Sequence, residues 1–305
     1  MKNTIIALVV IIVAVGAYFY MRSPESPMDA PTVPETTTDT TAKTDTPKTG
    51  ETTAQKKTGQ SVIGVSVEGR DINAYRYGSG GATEILFIGG IHGGYEWNTS
   101  LVAFQAMDYF EKNPSAIPAN VTVTVIPVLN PDGLFKVVGK VGRFAASDVP
   151  ASEDVQISGR FNAHTVDLNR NFDCDWQSSA KWQNKTVSGG SAVFSEPESQ
   201  AIKAYVENNK PGAVVVWYSA TGGVFASSCH NGVSAETNTL TQKFATASGY
   251  PAHQSFDFYA TTGDMVNWLA KSNVPAISVL LTNHTDTEWS KNQAGIEALL
   301  KYYTK

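Results

Sequence analysis

The chain has 305 residues, 42% of them hydrophobic and 17% charged, a balance suited to a globular protein with a sizeable core. Its formal net charge of −5 leaves no basic footprint of the kind nucleic acid requires, so no nucleic-acid partner is expected. The first element in chain order is Thr4 to Tyr20 (TIIALVVIIVAVGAYFY), uncharged and flanked by Lys2 and Arg22. At ~1.5 Å per residue it is just long enough to span a bilayer, and its terminal aromatics suit the membrane interface. Ala14-Val15-Gly16 also offers a small-x-small cleavage site, so residues 1–22 read as a membrane anchor or as a cleaved signal. The length of the apolar run favours the anchor. In both readings Lys2 holds the N-terminus in the cytoplasm and the bulk of the chain is exported. The expected location is therefore the cell membrane, single-pass with an extracytoplasmic C-terminal domain, or outside the cell if the segment is cleaved.

Residues 23–60 are Thr, Pro, Lys, Asp and Glu with almost nothing apolar, and read as a disordered, extended linker. Residues 61–305 read as one domain. Its short β-branched runs, Glu84–Ile88, Val121–Val128, Ala213–Trp217 and Ala276–Leu281, predict buried central strands. Helices are predicted over Asn98–Lys112, Glu196–Asn209, Glu236–Ser248, Gly263–Ser272 and Ser290–Tyr303. Ser195 reads as an N-cap, with Pro197 in the first turn and Glu198 completing a capping box. The alternation implies an α/β fold, a mixed but mostly parallel central sheet covered by helices on both faces. In such folds ligands sit beyond the carboxyl ends of the strands. The two cysteines, Cys174 and Cys229, lie in the exported domain, where disulfides persist; they read as a disulfide or as two free buried thiols.

After the first central strand comes the turn Gly89-Gly90-Ile91-His92-Gly93-Gly94-Tyr95-Glu96-Trp97-Asn98. An imidazole and a carboxylate this close on a strand-to-helix turn can both reach one zinc ion. Further segments follow in order: Asn130-Pro131-Asp132-Gly133, Arg160 to Phe172 (RFNAHTVDLNRNF), Phe194 to Gln200 (FSEPESQ) and Tyr259-Ala260-Thr261-Thr262-Gly263. With Ser61 to Tyr75 (SVIGVSVEGRDINAY) before them, they resemble the carboxypeptidase A family of zinc peptidases over nearly all of residues 61–303. DLNRNF is the most specific piece.

The resemblance implies a zinc cofactor held by His92 and Glu96, although the family spacing is H-x-x-E and this turn carries one more residue. It implies that Asn169 and Arg170 grip the C-terminal carboxylate of a peptide or peptidoglycan stem, a task suited to a planar guanidinium. Arg160 matches the arginine that polarises the scissile carbonyl and stabilises its oxyanion, and Tyr259 the tyrosine that closes over the peptide terminus. Two positions depart from the pattern. Tyr218 stands where the family has its third zinc ligand, a histidine, and Leu280 where it has its general base, a glutamate. A catalytic zinc uses three protein ligands and an open fourth position, and leucine takes no proton.

Among neighbours that could substitute, His230 follows Tyr218 beyond a glycine-containing loop, and His284, Asp286 and Glu288 follow Leu280; all read as rim or surface residues. His164 and His253 have no companion ligands in sequence and read as structural or exposed. Val266 resembles a position lining the specificity pocket and argues against basic C-termini, with Asp264 nearby as a counter-indication. Two functions are therefore expected to compete. One is a zinc metallocarboxypeptidase acting on peptides or cell-wall stems, with reduced activity. The other is a catalytically impaired relative that binds peptide C-termini.

Overall fold

The computed structural model describes residues 59–304. The anchor or signal over 1–22, and the linker up to residue 58, lie outside the described residues. Among the described residues no helix is long and apolar enough to cross a membrane.

The ten strands among the described residues are β1 (Gly59–Val65), β2 (Asp71–Tyr77), β3 (Thr83–Ile88), β4 (Val121–Ile126), β5 (Ser179–Trp182), β6 (Lys185–Ser188), β7 (Ala213–Ser219), β8 (Gly223–Ala226), β9 (Ala252–His253) and β10 (Ala276–Leu281). Eight form one sheet in the order β1-β2-β4-β3-β7-β10-β8-β9; β5 and β6 make a separate hairpin. The centre is parallel, β4 to β3, β3 to β7 and β7 to β10. Antiparallel pairs β1/β2, β2/β4 and β10/β8 flank it, with β9 parallel to β8 at the far edge. The four apolar runs predicted as central strands are β3, β4, β7 and β10. The outer strands β1, β8 and β9 are not predicted from sequence, because β1 is largely exposed and β8 and β9 are too short for a periodic signal. β1 starts at Gly59, inside the segment read as linker, because its pairing with β2 runs out to Gly59 opposite Arg76.

Seven α-helices among the described residues accompany the strands: α1 (Trp97–Lys112), α2 (Pro131–Val138), α3 (Glu153–Ser158), α4 (Pro197–Asn209), α5 (Ala235–Ser248), α6 (Met265–Lys271) and α7 (Trp289–Tyr302). Side chains alternate between the faces of a strand, and here both faces are covered. Phe87, Val215, Trp217, Ile277 and Val279 meet α1, α5 and α7 on one side. Leu86, Ile88, Val214, Val216 and Ala276 meet α4 and α6 on the other. Each fully buried side chain of this size contributes about 2 kcal/mol relative to exposure.

The expected capping box does not form. Glu196, not Ser195, precedes the first turn of α4, and Ser195 Oγ instead donates to Glu196 Oε1 at 2.7 Å. Glu198 is drawn away, accepting from Asn162 Nδ2 at 3.1 Å and the Val67 amide at 3.3 Å.

Cys174 and Cys229 are joined as a disulfide across a sequence separation of 55, which chain entropy makes worth about 4 kcal/mol. The bridge sits against a short ladder in which the Phe172 amide donates to Gly263 O and the Gly263 amide to Cys174 O. Three segments, after Arg170, after β8 and before α6, are thus tied together.

Candidate active site

The carboxyl ends of β3, β7 and β10 open into a cavity of about 720 Å³. Its lining includes His92, Glu96, Arg160, Asn169, Arg170, Tyr218, Tyr259 and Leu280, so every residue singled out for the site reaches one place. The disulfide lies outside that lining, as do His164, His230, His253, Asp286 and Glu288.

The turn from β3 into α1 absorbs its additional residue through glycine. Gly93 has a positive φ of 44°, and a Cβ there would lie 2.6 Å from Gly159 O; on Gly94 it would lie 2.3 Å from Val137 Cγ2. With both side chains absent the turn closes tightly, the Tyr95 amide donating to His92 O at 3.0 Å. His92 Nδ1 and Glu96 Oε1 come to lie 2.9 Å apart. Both residues are buried.

Arg160, 1% exposed, is held by Asp167, whose Oδ2 accepts from Nε at 3.0 Å and lies 2.9 Å from Nη2. Its Nη1 lies 3.6 Å from Glu96 Oε1, and its guanidinium carbon is 4.4 Å from the centroid of the Trp182 ring. Burial raises the Asp167 carboxyl, but the charge of Arg160 and contact with His92 outweigh it and hold the group well below the ordinary range. Arg170 donates from Nε to Lys181 O and from Nη1 to Asn169 O, which fixes the plane of its guanidinium. Asn169 Oδ1 accepts from the Met265 amide and from Tyr218 Oη, leaving its Nδ2 without a protein acceptor among the described residues. The Tyr259 ring stands 5.9 Å from the Arg170 guanidinium carbon; burial first of all raises its phenol, which stays a neutral donor.

Tyr218 and Leu280 are cross-strand partners in the β7/β10 register and point to the same face of the sheet. Burial, then the charges of Asp264 and Glu96, push the Tyr218 phenol well above 10. Its proton is engaged, donated to Asn169 Oδ1 at 3.2 Å.

The residues present do not make a zinc site. One observation favours metal: among the described residues neither ring nitrogen of His92 has a hydrogen-bond partner, since Glu96 and Asp167 approach without the alignment a hydrogen bond needs. The donor set argues the other way. Glu96 Oε2 accepts the Ser219 amide, Tyr218 is a protonated phenol, and Leu280 donates nothing. Among the described residues, the one trio of His, Cys, Asp or Glu atoms close enough to share an ion is Cys174, Cys229 and His230, whose sulfurs are spent in the disulfide. His230 does not fold back toward Tyr218; it is exposed and pairs with Asp175 at 2.8 Å. His164 pairs with Glu196, and His253 stacks on Phe225.

The exception among the rim residues is His284, which lies in the cavity wall, its ring 4.6 Å from that of Tyr95 and its Nδ1 2.9 Å from Ser219 Oγ. Burial first of all lowers its basicity, so the imidazole is neutral near pH 7. Its loop is held by Glu288, whose carboxylate accepts from the Thr282 amide at 2.7 Å, from Thr282 Oγ1 at 2.9 Å and from Tyr250 Oη at 2.6 Å. Burial raises the Glu288 carboxyl, yet Lys291 and these donors bring it down to about 2. A depressed carboxyl stabilises the fold fully above its unfolded value near 4.3, and that stabilisation is lost as pH falls toward 2. Glu288→Gln should therefore lower stability by roughly 1 kcal/mol at pH 7, the group being partly solvated. The difference from wild type should shrink as pH falls through about 2, as read by denaturant unfolding at pH 7 and near pH 2.

The zinc carboxypeptidase family matches residues 51–298. The chain belongs to this family. The crystal structure of a murein-tripeptide amidase from Escherichia coli O157 is similar at 20% identity and a TM-score of 0.55, covering 81% of this chain and 93% of that one. Bovine thrombin-activatable fibrinolysis inhibitor is similar at 17% identity and a TM-score of 0.63, covering 80% and 88%. Carboxypeptidase A from Helicoverpa armigera is similar at 18% identity and a TM-score of 0.62, covering 81% and 67%. Such distant likenesses show the carboxypeptidase fold and no more.

Within this carboxypeptidase frame, Asp167, Trp182 and Ser219 are site residues not singled out from sequence. Asp167 sits inside DLNRNF and could have been noticed there; Trp182, on the β5–β6 hairpin, gave no signal.

Proposed function

We propose that this zinc carboxypeptidase relative captures the free C-terminal carboxylate of a peptide and does not hydrolyse it. The observation that carries this reading is a separation of fates within one cavity. Asn169, Arg170, Arg160 and Tyr259, which the family resemblance assigns to gripping a peptide terminus, are gathered there, while Tyr218 and Leu280 stand side by side where the resemblance would put an imidazole and a carboxylate. The carboxylate would rest on Arg170 and Asn169 Nδ2, with the neutral phenol of Tyr259 over it. The penultimate carbonyl would meet Arg160. Likeness to a murein-tripeptide amidase supports a peptidoglycan stem as the ligand class, and residues 1–22 would hold the site at the outer face of the membrane.

Isothermal titration of the purified full-length chain with an acetylated tripeptide, as free acid and as C-terminal amide, tests it. The acid should bind and the amide should bind at least ~10-fold more weakly, since a charge-assisted bidentate contact is lost. Equal affinities would sink the proposal. The unpartnered imidazole of His92 beside Glu96 favours a second reading, a residual metal-dependent hydrolase. Release of the terminal amino acid, abolished by a chelator, would establish it instead.

A further inference from the structure

The hydrogen bonds behind His284 run in one direction only. Asn98, fully buried in the first turn of α1, spends its amide donors on Asn283 O at 2.8 Å and Asp286 O at 3.0 Å. Its orientation is thereby fixed, and Oδ1 is left to accept from Ser219 Oγ at 3.1 Å. A serine hydroxyl has one proton, and Asn98 Oδ1 takes it. The contact between Ser219 Oγ and His284 Nδ1 at 2.9 Å then requires the imidazole to be the donor. Its single ring proton sits on Nδ1, and Nε2 carries a lone pair.

Among the described residues Nε2 has no protein partner, it is not sealed from solvent, and His284 lines the cavity. The ring stands against Tyr95, whose face also meets Arg160, whereas Arg170 stands against Tyr259. His284 is thus at the Arg160 end of the cavity, away from the carboxylate grip. The other cavity groups named for the peptide, Arg160, Arg170, Asn169 Nδ2 and Tyr259, are donors. A peptide that delivers a carboxylate and a carbonyl to them still carries amide N–H groups that need an acceptor.

We infer that His284 presents Nε2 as a fixed hydrogen-bond acceptor for a backbone N–H of the bound peptide upstream of its terminal residue. The inference rests on the proposed capture of a peptide terminus and assigns the selectivity of that same site. It makes His284 a ligand-binding residue, and Asn98 and Ser219 positioning residues that act through it. A ligand lacking that N–H leaves the lone pair buried without a partner and is rejected.

Two measurements test this, one of them without ligand. Long-range ¹H–¹⁵N correlation spectra of the free wild-type chain near pH 7 should show His284 protonated at Nδ1 and bare at Nε2; the opposite tautomer would overturn the inference. The acetylated tripeptide is then titrated alongside versions N-methylated at each amide in turn. Wild type should bind one upstream N-methyl version about 5-fold or more weakly than its parent. His284→Phe, which keeps a ring against Tyr95, should bind the parent that much more weakly and no longer discriminate. Tolerance of every N-methyl version by wild type, or discrimination retained by H284F, would refute the acceptor role. Either result leaves the acid-over-amide preference intact, so it is distinct from failure of the carboxylate reading, in which acid and amide bind alike.

Discussion

Replacing Arg170 by lysine should weaken binding of a free-acid tripeptide by about 2 kcal/mol, roughly 30-fold, while the domain stays folded. The guanidinium already spends two donors on its own framework, Nε on Lys181 O and Nη1 on Asn169 O. What remains faces the ligand from a plane fixed by those bonds. An ammonium has one charged nitrogen on a flexible stem, so it can keep the framework or meet the carboxylate, but not both in this geometry. Retained charge makes lysine a sharper test than alanine, which would leave a buried gap as well as remove the contact. Titration of R170K with the acid peptide, alongside thermal unfolding, reads both effects. Affinity within about twofold of wild type, with an unchanged Tm, would mean that the carboxylate is held elsewhere.

The second large effect is a gain. Tyr218→His together with Leu280→Glu should let the chain take up about one zinc ion and release C-terminal amino acids in a chelator-sensitive way. A positioned base alone is worth roughly 10²–10⁴ in rate, and it acts with the metal as one unit, so neither substitution by itself should achieve much. The register explains the coupling. Residues 218 and 280 lie side by side, and a glutamate introduced alone would bury a charge beside Glu96 and a protonated phenol. Metal analysis and an assay of released amino acid on the singles and the double check this. A double variant with neither zinc nor hydrolysis would show that these two positions are not the hydrolytic ones.

How far the sequence could be read follows from where each signal resides. β3, β4, β7 and β10 are buried on both faces, so they read in one dimension as runs rich in apolar and β-branched residues, broken only by a few polar members such as Glu84, Thr122, Thr124 and Ser278. β8 and β9 are held by pairing with neighbours far away in sequence and, at four and two residues, are too short for such a run to stand out. The same distinction applies within the cavity. Arg160, Asn169, Arg170 and Tyr259 lie in segments whose composition is itself distinctive, and they converge as expected. The role of His284 depends on Asn98 and Ser219, distant from it in sequence and joined to it only through hydrogen-bond direction. Ser195 failed as a cap for a related reason, since its hydroxyl found a carboxylate next door before it found the helix.

Glu96 and Asn98, two residues of one turn, seize the amide and the hydroxyl of Ser219, and Asn98 also grips the loop after β10. The mouths of β3, β7 and β10 are therefore laced together by the protein's own atoms before any guest arrives. Most of the ordering entropy at this rim is spent during folding, and a guest owes little beyond its own loss of freedom. A short, flexible peptide tail, which has few atoms with which to bind, is the kind of guest that such a prepared receptor can hold.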